Sequence, residues 1–475
     1  MVNSQQLLSS LLRVKILKKK KSKQKLYAFD KKGPNLLRAV FPYSSFPKIR
    51  FDYIQEEFSF DHDIWVTDTT FRDGQQGRAP FLAGQMVALY MFLNRLGGPL
   101  GLVRQSEFFL QFKEDREAIQ RCLGLNFKYP KVIGWVRTKR EDLKYAKELR
   151  LDEIGVLMSV SDYHIYLKLK KDREQIKNDY LSFIRLALDE GFLPSVHLED
   201  ITRADMYGFV APFLEEVKKI SEDEKVSIKV RLCDTLGLGI PLAGVELPRS
   251  VPKLIQTIRK EVGFEPEDLE WHGHNDFHKA HINSLTAWVY GCSSINGTLL
   301  GIGERSGNSP IEALLFEYIS IKGDVDSWDL SVIHEIASYF EKELGYAIQN
   351  NYPFVGDNCY ATKAGIHAYG LIRNEETYSS FNSKLLLNRA NINVCISKMS
   401  GASGIVHWIN NRFGLKNNLK LDKNAPEVGK IFKYINTQYE DGRISEVSED
   451  EMLSLVKQFM PDVYKPGFFK NKPKE

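Results

Sequence analysis

Two short polar stretches, far apart in the chain, carry the side chains best suited to chemistry. The first, residues 67–77 (TDTTFRDGQQG), follows an apolar run and sets Arg72 beside Asp73. The second, WHGHND, carries His272 and His274 two positions apart. Because side chains alternate along a β-strand, both imidazoles would point to the same side. One carboxylate and two neutral imidazoles form half of a divalent-metal shell, with positions left for substrate and water.

The HxH motif also has a plainer interpretation, since two histidines in a strand are often buried core residues. Two features favour a metal site instead: the motif ends a predicted strand, and Asn275 and Asp276 follow at once. The sequence therefore predicts that Asp73, His272 and His274 bind one metal ion.

The glycine-rich stretch GIGERSGN at 301–308 invites comparison with a dinucleotide-binding loop. That interpretation is weak, because the stretch follows the eighth predicted strand and Ser306 stands where a third glycine is needed. A tight loop that presents Glu304, Arg305 and Asn308 to a site is the better prediction. The amide of Asn308 would add a neutral oxygen to the metal shell.

A repeating unit of apolar strand, polar loop and amphipathic helix would position these residues. The predicted strands are 64–68, 102–107, 132–137, 153–159, 194–199, 227–234, 269–275 and 292–299. The predicted helices are 83–96, 113–123, 139–150, 172–190, 205–221, 249–263, 278–291 and 310–321. Eight such units predict an α/β fold of the (β/α)8 TIM-barrel class, in which active sites lie at the carboxyl ends of the strands. Polar residues end seven of the eight strands, namely Asp68, Glu107, Arg137, Glu199, Asp234, His274 and Asn296.

Three regions are predicted from the pattern along the chain. Residues 1–60 form a basic extension and lead-in, whose first 29 residues contain no acidic side chain. A solvated extension explains this better than a targeting peptide, which would favour arginine over lysine. Residues 61–345 form the barrel, and 346–475 form helical C-terminal subdomains. Ser448 and Glu451 have the spacing of a helix capping box.

Composition excludes several classes of partner. A net charge of +4 over 475 residues gives no reason to expect nucleic acid. No apolar run approaches the roughly 20 residues that cross a bilayer, so no membrane association is expected. Five scattered cysteines without a CxxC pair indicate a reducing compartment, which predicts a cytoplasmic protein.

Six motifs in the order TTFRDGQQ, HLEDITRAD, CDTLG, HGHND, GIGERSGN and AGIHAYG make the sequence similar to one family. It resembles the 2-isopropylmalate synthase, homocitrate synthase and Re-citrate synthase group of metal-dependent TIM-barrel acyltransferases. The resemblance implies a Claisen condensation of acetyl-CoA with a 2-oxo acid, followed by thioester hydrolysis. It also implies a homodimer and a divalent metal ion, with Mn expected and Mg, Co or Zn as alternatives.

The resemblance further implies roles for the matching residues. The implied metal ligands are Asp73, His272, His274 and Asn308. Arg72 matches an arginine that binds substrate and stabilises negative charge developing on oxygen. Glu199 matches an acid near the reacting centre, and Thr235 a hydroxyl that holds the oxo-acid carboxylate. His367 matches a histidine that reaches a barrel mouth and takes part in proton transfer, and Tyr378 matches a nearby catalytic tyrosine.

Within the family, stretches such as PNLLRAVFPYSSFPKI, RQSEFFL and SVSDYHI are most similar to the Re-citrate synthases. Oxaloacetate would then be the 2-oxo acid, and its second carboxylate would require another cation in the pocket. Arg104 is the first candidate and Arg137 the second, with Arg203 also available, although each could be an ordinary ion-pair residue. Homocitrate or 2-isopropylmalate synthesis, an acyl-CoA lyase or aldolase, and a non-catalytic binding barrel remain the alternatives.

Overall fold

The computed structural model describes residue 44 and residues 62–464, apart from 324–327, 363, 389–393 and 416–419. Except for residue 44, the predicted extension 1–60 lies outside the described residues. The eight strands are β1 (Trp65–Asp68), β2 (Val103–Phe109), β3 (Lys131–Val136), β4 (Glu153–Ser159), β5 (Leu193–Glu199), β6 (Lys229–Asp234), β7 (Leu269–Gly273) and β8 (Ser294–Gly297). Each strand pairs in parallel with the next, and β8 pairs with β1, so the sheet closes into a barrel. The predicted TIM-barrel fold is confirmed.

Helices alternate with the strands around the barrel. They are Ala83–Leu96, Lys113–Gly124, Arg140–Glu148, Arg173–Asp189, Ala211–Glu224, Val251–Thr257, Ala280–Tyr290 and Ile311–Lys322, with Val332–Lys342 after them. The helix Arg173–Asp189 illustrates the local cause: Asp172 caps its first turn, and buried Ile176, Tyr180 and Ile184 recur every four residues on one face. Burying each such side chain contributes about 1.5–3 kcal/mol, which fixes that face against the sheet.

The region after the barrel is helical. Its helices are Gly365–Arg373, Ser383–Leu387, Ala402–Arg412, Pro426–Glu440 and Glu449–Phe459. Buried apolar side chains from the described residues between Val394 and Met460, together with Ala368, form a cluster separate from that of the barrel. The predicted capping box is present, because the N–H of Glu451 donates to Ser448 Oγ and the N–H of Ser448 donates to the Glu451 carboxylate. Across the described residues, no helix is long and apolar enough to cross a membrane.

Candidate metal centre

The turn after β1 brings Arg72 and Asp73 to the carboxyl end of the barrel. Residues 70–74 form a single π-helical turn, in which the N–H groups of Asp73 and Gly74 both donate to the Thr69 carbonyl, at 2.8 and 3.1 Å. Arg72 Nη1 donates to Asp73 Oδ1 at 3.1 Å, and its guanidinium lies 4.6 Å from the centre of the Trp135 ring. The turn therefore fixes a carboxylate and a guanidinium side by side in a nearly buried site.

His272 and His274 meet Asp73 at the end of β7. The two Nε2 atoms are 3.3 Å apart, and they lie 3.6 and 3.4 Å from Asp73 Oδ2. All three residues are buried, and their potential ligand atoms all lie within 4.8 Å of one another. Atoms at these separations share a centre roughly 2.0 Å from each, close to usual metal–nitrogen and metal–oxygen distances. The expected convergence of one carboxylate and two imidazoles is therefore observed.

The polar atoms of this site also fit a metal ion. Asp73 Oδ2 and Asn308 Oδ1 are buried and have no hydrogen-bond partner among the described residues. Asn308 pairs with His274 through a short β-bridge, and its Nδ2 donates to the Ile302 carbonyl at 3.1 Å. Gly303 is needed for this packing, because a Cβ there would lie 2.3 Å from Asn308 Nδ2. The loop at 301–308 thus holds Asn308 beside His274.

Ionisation in the site also suits metal binding. Burial alone would raise the pKa of Asp73, but the charge of Arg72 and the two imidazoles outweigh it and lower that pKa to about 2. Burial lowers the pKa of His272 to about 3, although Asp73 opposes the shift. At neutral pH the site therefore presents a carboxylate and a neutral imidazole at His272, the forms that coordinate metal ions.

A chain of buried hydrogen bonds orients His272. Its Nδ1 is 2.7 Å from Asn296 Oδ1, and Asn296 Nδ2 donates to Thr67 Oγ1 at 2.9 Å. The Thr67 hydroxyl in turn donates to the Glu270 carboxylate. Because a carboxylate only accepts, the chain has one direction and requires His272 to donate from Nδ1. Its Nε2 lone pair is then left facing Asp73.

Below the histidines, charged side chains cross the interior of the barrel. Arg231 on β6 donates from Nε to Glu270 on β7 at 2.8 Å and from Nη1 to Glu107 on β2 at 2.9 and 3.0 Å. His197 on β5 lies against the same guanidinium, with its Nδ1 3.4 Å from Nη1.

The sequence did not predict roles for Arg231, Glu270 and His197. One pattern could have identified these three residues: each is polar, lies in a largely apolar strand, and stands two positions before Cys233, His272 or Glu199.

Glu199 and Thr235 lie at the carboxyl ends of β5 and β6. Glu199 accepts hydrogen bonds from Ser159 and Lys168, and His164 Nδ1 is 3.0 Å away. Burial raises the pKa of Glu199, but these three contacts outweigh it and lower the pKa to about 2. Thr235 Oγ1 accepts from the Asp200 N–H at 2.8 Å, and its hydroxyl donates a longer bond of 3.4 Å to the Cys233 carbonyl.

Comparison with known proteins agrees with this site. Residues 63–339, more than half of the chain, match the HMGL-like family. The chain belongs to the HMGL-like family. It is 47% identical over 435 residues to a citrate (Re)-synthase of Syntrophus aciditrophicus (strain SB), a match covering 92% of this chain and 69% of that protein. It is 45% identical over 430 residues to a citrate (Re)-synthase of Clostridium kluyveri, covering 90% of this chain and 95% of that protein.

A third relative of this HMGL-like protein is the 2-phosphinomethylmalate synthase of Streptomyces hygroscopicus. The two are 35% identical over 435 residues, which covers 90% of this chain and 96% of that protein. All three matches extend well beyond the barrel. The family resemblance predicted from the motifs is confirmed.

The two catalytic candidates after the HMGL-like barrel lie together on the surface. His367 is on the helix Gly365–Arg373, and its ring centre is 4.3 Å from that of Tyr378. Both side chains are exposed. In the part of the chain that the structure describes, neither ring forms a hydrogen bond, ion pair or ring contact with the metal-site triad.

The candidate arginines are engaged elsewhere. Arg104 lies at the amino end of β2, where it pairs with Asp63 and covers the Trp65 ring, so the structure does not bring it to the metal site. Arg137 follows β3 and forms a bidentate pair with Asp142, at 2.7 and 2.9 Å. Arg203 pairs with Asp200 at 2.7 Å. Arg72, which pairs with Asp73, and the buried Arg231, whose charge contributes to lowering the pKa of His272, are instead near the histidines.

Proposed function

We propose that this protein is a citrate (Re)-synthase, which converts oxaloacetate, acetyl-CoA and water to citrate and CoA. The observation that carries the proposal is the buried group of Asp73, His272 and His274 in a chain that is 47% and 45% identical to two citrate (Re)-synthases. The reaction is an acyl transfer in which the acetyl methyl carbon attacks the keto carbon of the 2-oxo acid. Water then cleaves the thioester and releases CoA.

We propose that Asp73, His272 and His274 hold a divalent metal ion, with Asn308 as a neighbouring ligand and Mn as the expected metal. Such an ion would polarise the keto group of the 2-oxo acid for attack. The lone pairs at Asp73 Oδ2 and Asn308 Oδ1, which are buried and without a partner among the described residues, support this ligand set.

Two further side chains are proposed to bind the 2-oxo acid. Arg72 stabilises the negative charge that develops on the keto oxygen, since its guanidinium is held beside Asp73 and its buried Nε has no partner among the described residues. Thr235 donates its hydroxyl to the substrate carboxylate in place of its long 3.4 Å bond to the Cys233 carbonyl, while its oxygen still accepts from Asp200. Both groups are held in place before substrate binds, which lowers the cost of ordering them.

The proton-transfer groups are proposed to be Glu199, His367 and Tyr378. Glu199 is ionised at neutral pH, so its role is that of a base or an anion that stabilises a protonated neighbour, and His164 and Lys168 are beside it. His367 and Tyr378 form an exposed stacked pair. We propose that this pair completes a barrel mouth in a homodimer.

We also propose that the protein is cytoplasmic, because its five cysteines are odd in number and scattered along the chain.

A thiol-release assay tests the reaction. Purified protein with Mn and acetyl-CoA is given oxaloacetate, 2-oxoglutarate or 2-oxoisovalerate, and any citrate is analysed for the face of attack. We expect CoA release with oxaloacetate, Re-face citrate, and loss of both in His274→Ala. Preference for either other acid would keep the condensation but refute the substrate assignment.

Mixing two inactive variants tests the shared mouth. His274→Ala and His367→Ala are each expected to be inactive as pure dimers. If His367 acts at the mouth of the partner subunit, mixed dimers contain one intact site and recover part of the activity. No recovery, in dimers shown to exchange subunits, would mean that His367 serves its own barrel or none.

A further inference from the structure

One buried polar atom inside the barrel has no role in the chemistry described so far. It is Nε2 of His197, whose side chain is almost fully buried and which has no hydrogen-bond partner among the described residues. Buried polar atoms of native proteins are nearly always paired, and an exception usually marks a place where water, an ion or a ligand binds. The question is what this nitrogen would bind.

The ring of His197 lies in the interior of the barrel. It belongs to β5, yet its Nδ1 lies 3.8 Å from a carboxylate oxygen of Glu107 on β2, across the barrel. Arg231 on β6 flanks it on one side. On the other side is Gly155 on β4, where a Cβ would lie 2.3 Å from His197 Cε1 and 2.7 Å from Nε2. Glycine at position 155 is therefore what makes room for the imidazole.

Strand register relates the position of the His197 ring to the metal site. Two residues after His197, Glu199 pairs with Cys233, and Cys233 pairs with His272. Since side chains on one face of a strand recur every two positions, His197 lies on the same face as Glu199, one such step before the residue in register with His272. The positive charge of Arg72 and the ring of His272 both contribute to lowering the pKa of His197, after burial and Arg231. His197 thus lies in the interior of the barrel, near Arg72 and His272.

The protonation of the ring follows from its neighbours. A guanidinium can only donate hydrogen bonds, so Nδ1, 3.4 Å from Arg231 Nη1, must accept. The Glu107 oxygen at 3.8 Å is too distant to take a proton from Nδ1. The hydrogen of the neutral ring therefore sits on Nε2, which is left as an unpaired N–H donor.

We propose that His197 is a specificity residue whose Nε2–H receives the second carboxylate of a dicarboxylic 2-oxo acid. The inference rests on the proposed function and names the substrate class of that site. With its first carboxylate and keto oxygen held by Arg72 and Thr235, oxaloacetate would extend its second carboxylate into the barrel toward His197. An aliphatic 2-oxo acid would leave the N–H buried and unpaired, which disfavours its binding.

The sequence predicts an unpaired cation for the second carboxylate, whereas this subsite offers a neutral hydrogen-bond donor. Arg231 is already neutralised by Glu107 and Glu270, with which it shares three hydrogen bonds. Its function toward substrate is indirect: it fixes the tautomer of His197 and keeps the imidazole neutral. The discriminating contact is thus a hydrogen bond from a neutral donor to an anionic acceptor.

The test compares two substrates of similar size in three proteins. Oxaloacetate and 2-oxobutanoate differ only in a carboxylate against a methyl group at the far end. The proteins are the wild type, His197→Ala, and His197→Gln, whose side-chain amide can place an N–H near the position of Nε2. We expect His197→Ala to reduce the preference for oxaloacetate about 10- to 100-fold, mainly through KM, since a hydrogen bond to a charged group is lost. His197→Gln should restore most of the preference.

Equal losses for both substrates in His197→Ala would overturn the inference, because they would indicate a purely structural role. Direct titration of Mg-loaded protein with each acid, without acetyl-CoA, separates this result from failure of the proposed function. Citrate synthesis with an unchanged substrate preference would refute the subsite and keep the synthase. Binding of oxaloacetate that depends on His197, without citrate synthesis, would keep the subsite and refute the synthase.

Discussion

Removal of the Thr67 hydroxyl should weaken metal binding without touching a ligand. Two hydrogen bonds connect Thr67 to His272 by way of the buried Asn296 side chain. The Thr67 hydroxyl accepts from Asn296 and donates to Glu270. In Thr67→Val the Asn296 amide loses the shorter of its two bonds to Thr67, at 2.9 Å, and keeps only the 3.4 Å bond to the Thr67 carbonyl. A rotated amide would present Nδ2 to His272 Nδ1, which would move the imidazole proton to Nε2 and block the metal-binding lone pair.

The expected size follows from the behaviour of such supporting contacts. Their loss typically weakens metal binding about 10- to 100-fold, which corresponds to about 1.4–2.8 kcal/mol. The same substitution leaves Glu270 Oε1 buried without its donor and should lower the free energy of unfolding by about 1–3 kcal/mol. Titration with Mn followed by electron paramagnetic resonance measures the first effect, and urea unfolding of metal-free protein measures the second.

Two matched variants separate the two effects. Thr67→Ser keeps the hydroxyl and should bind Mn as the wild type does. Thr286→Val makes the same chemical change on the helix Ala280–Tyr290, where the hydroxyl donates to the Ile282 carbonyl, and should alter stability at most. The reasoning would be refuted if Thr67→Val bound Mn with wild-type affinity, or if Thr286→Val weakened Mn binding equally.

Three further predictions follow from the same geometry. His274→Ala removes a proposed ligand and should weaken Mn binding more than about 100-fold, which exceeds the usual effect of a supporting residue. Equilibrium dialysis measures this affinity, and binding within about tenfold of the wild type would argue against this ligand set. Glu199 has its pKa lowered to about 2, so its stabilising contribution is present above its unfolded pKa near 4.5 and is lost as pH falls toward 2. The difference in free energy of unfolding between the wild type and Glu199→Gln should therefore narrow between pH 5 and about 3 in urea titrations, and a constant difference would contradict the ionised pairing. Arg104→Gln should leave the KM for oxaloacetate unchanged and reduce stability by less than about 1 kcal/mol, because Arg104 pairs with exposed Asp63 at the other end of the barrel; a raised KM would return it to the substrate site.

Much of the barrel could be predicted because its causes are local. Apolar runs of strand length alternate with helical stretches whose apolar residues recur every three to four positions, and the barrel follows from eight such repeats. The β4 strand matches its predicted bounds, 153–159. The predicted helix 249–263 is less regular, since the α-helix Val251–Thr257 passes into a π-helical turn at Ile258–Val262.

The sequence by itself determined which side chains share a face. The two-residue spacing of His272 and His274, and their position at the end of an apolar strand, predict two imidazoles on one side of the barrel. The residue types at this site, with Arg72 and Asp73 in a turn after the first strand, predict a metal ion and an anionic substrate. These conclusions depend on local periodicity and on chemistry that each residue carries alone.

Only the tertiary structure decided which partners those side chains meet. Arg231 and Glu107 are 124 residues apart, and they pair because closure of the barrel and its strand register bring β6 and β2 face to face across the interior. Arg104 is separated from the site for the same reason, since its position near the amino end of β2 puts it at the opposite end of the barrel. Alternation along a strand fixes the direction of a side chain, whereas the level of that side chain and its neighbours depend on long-range pairing.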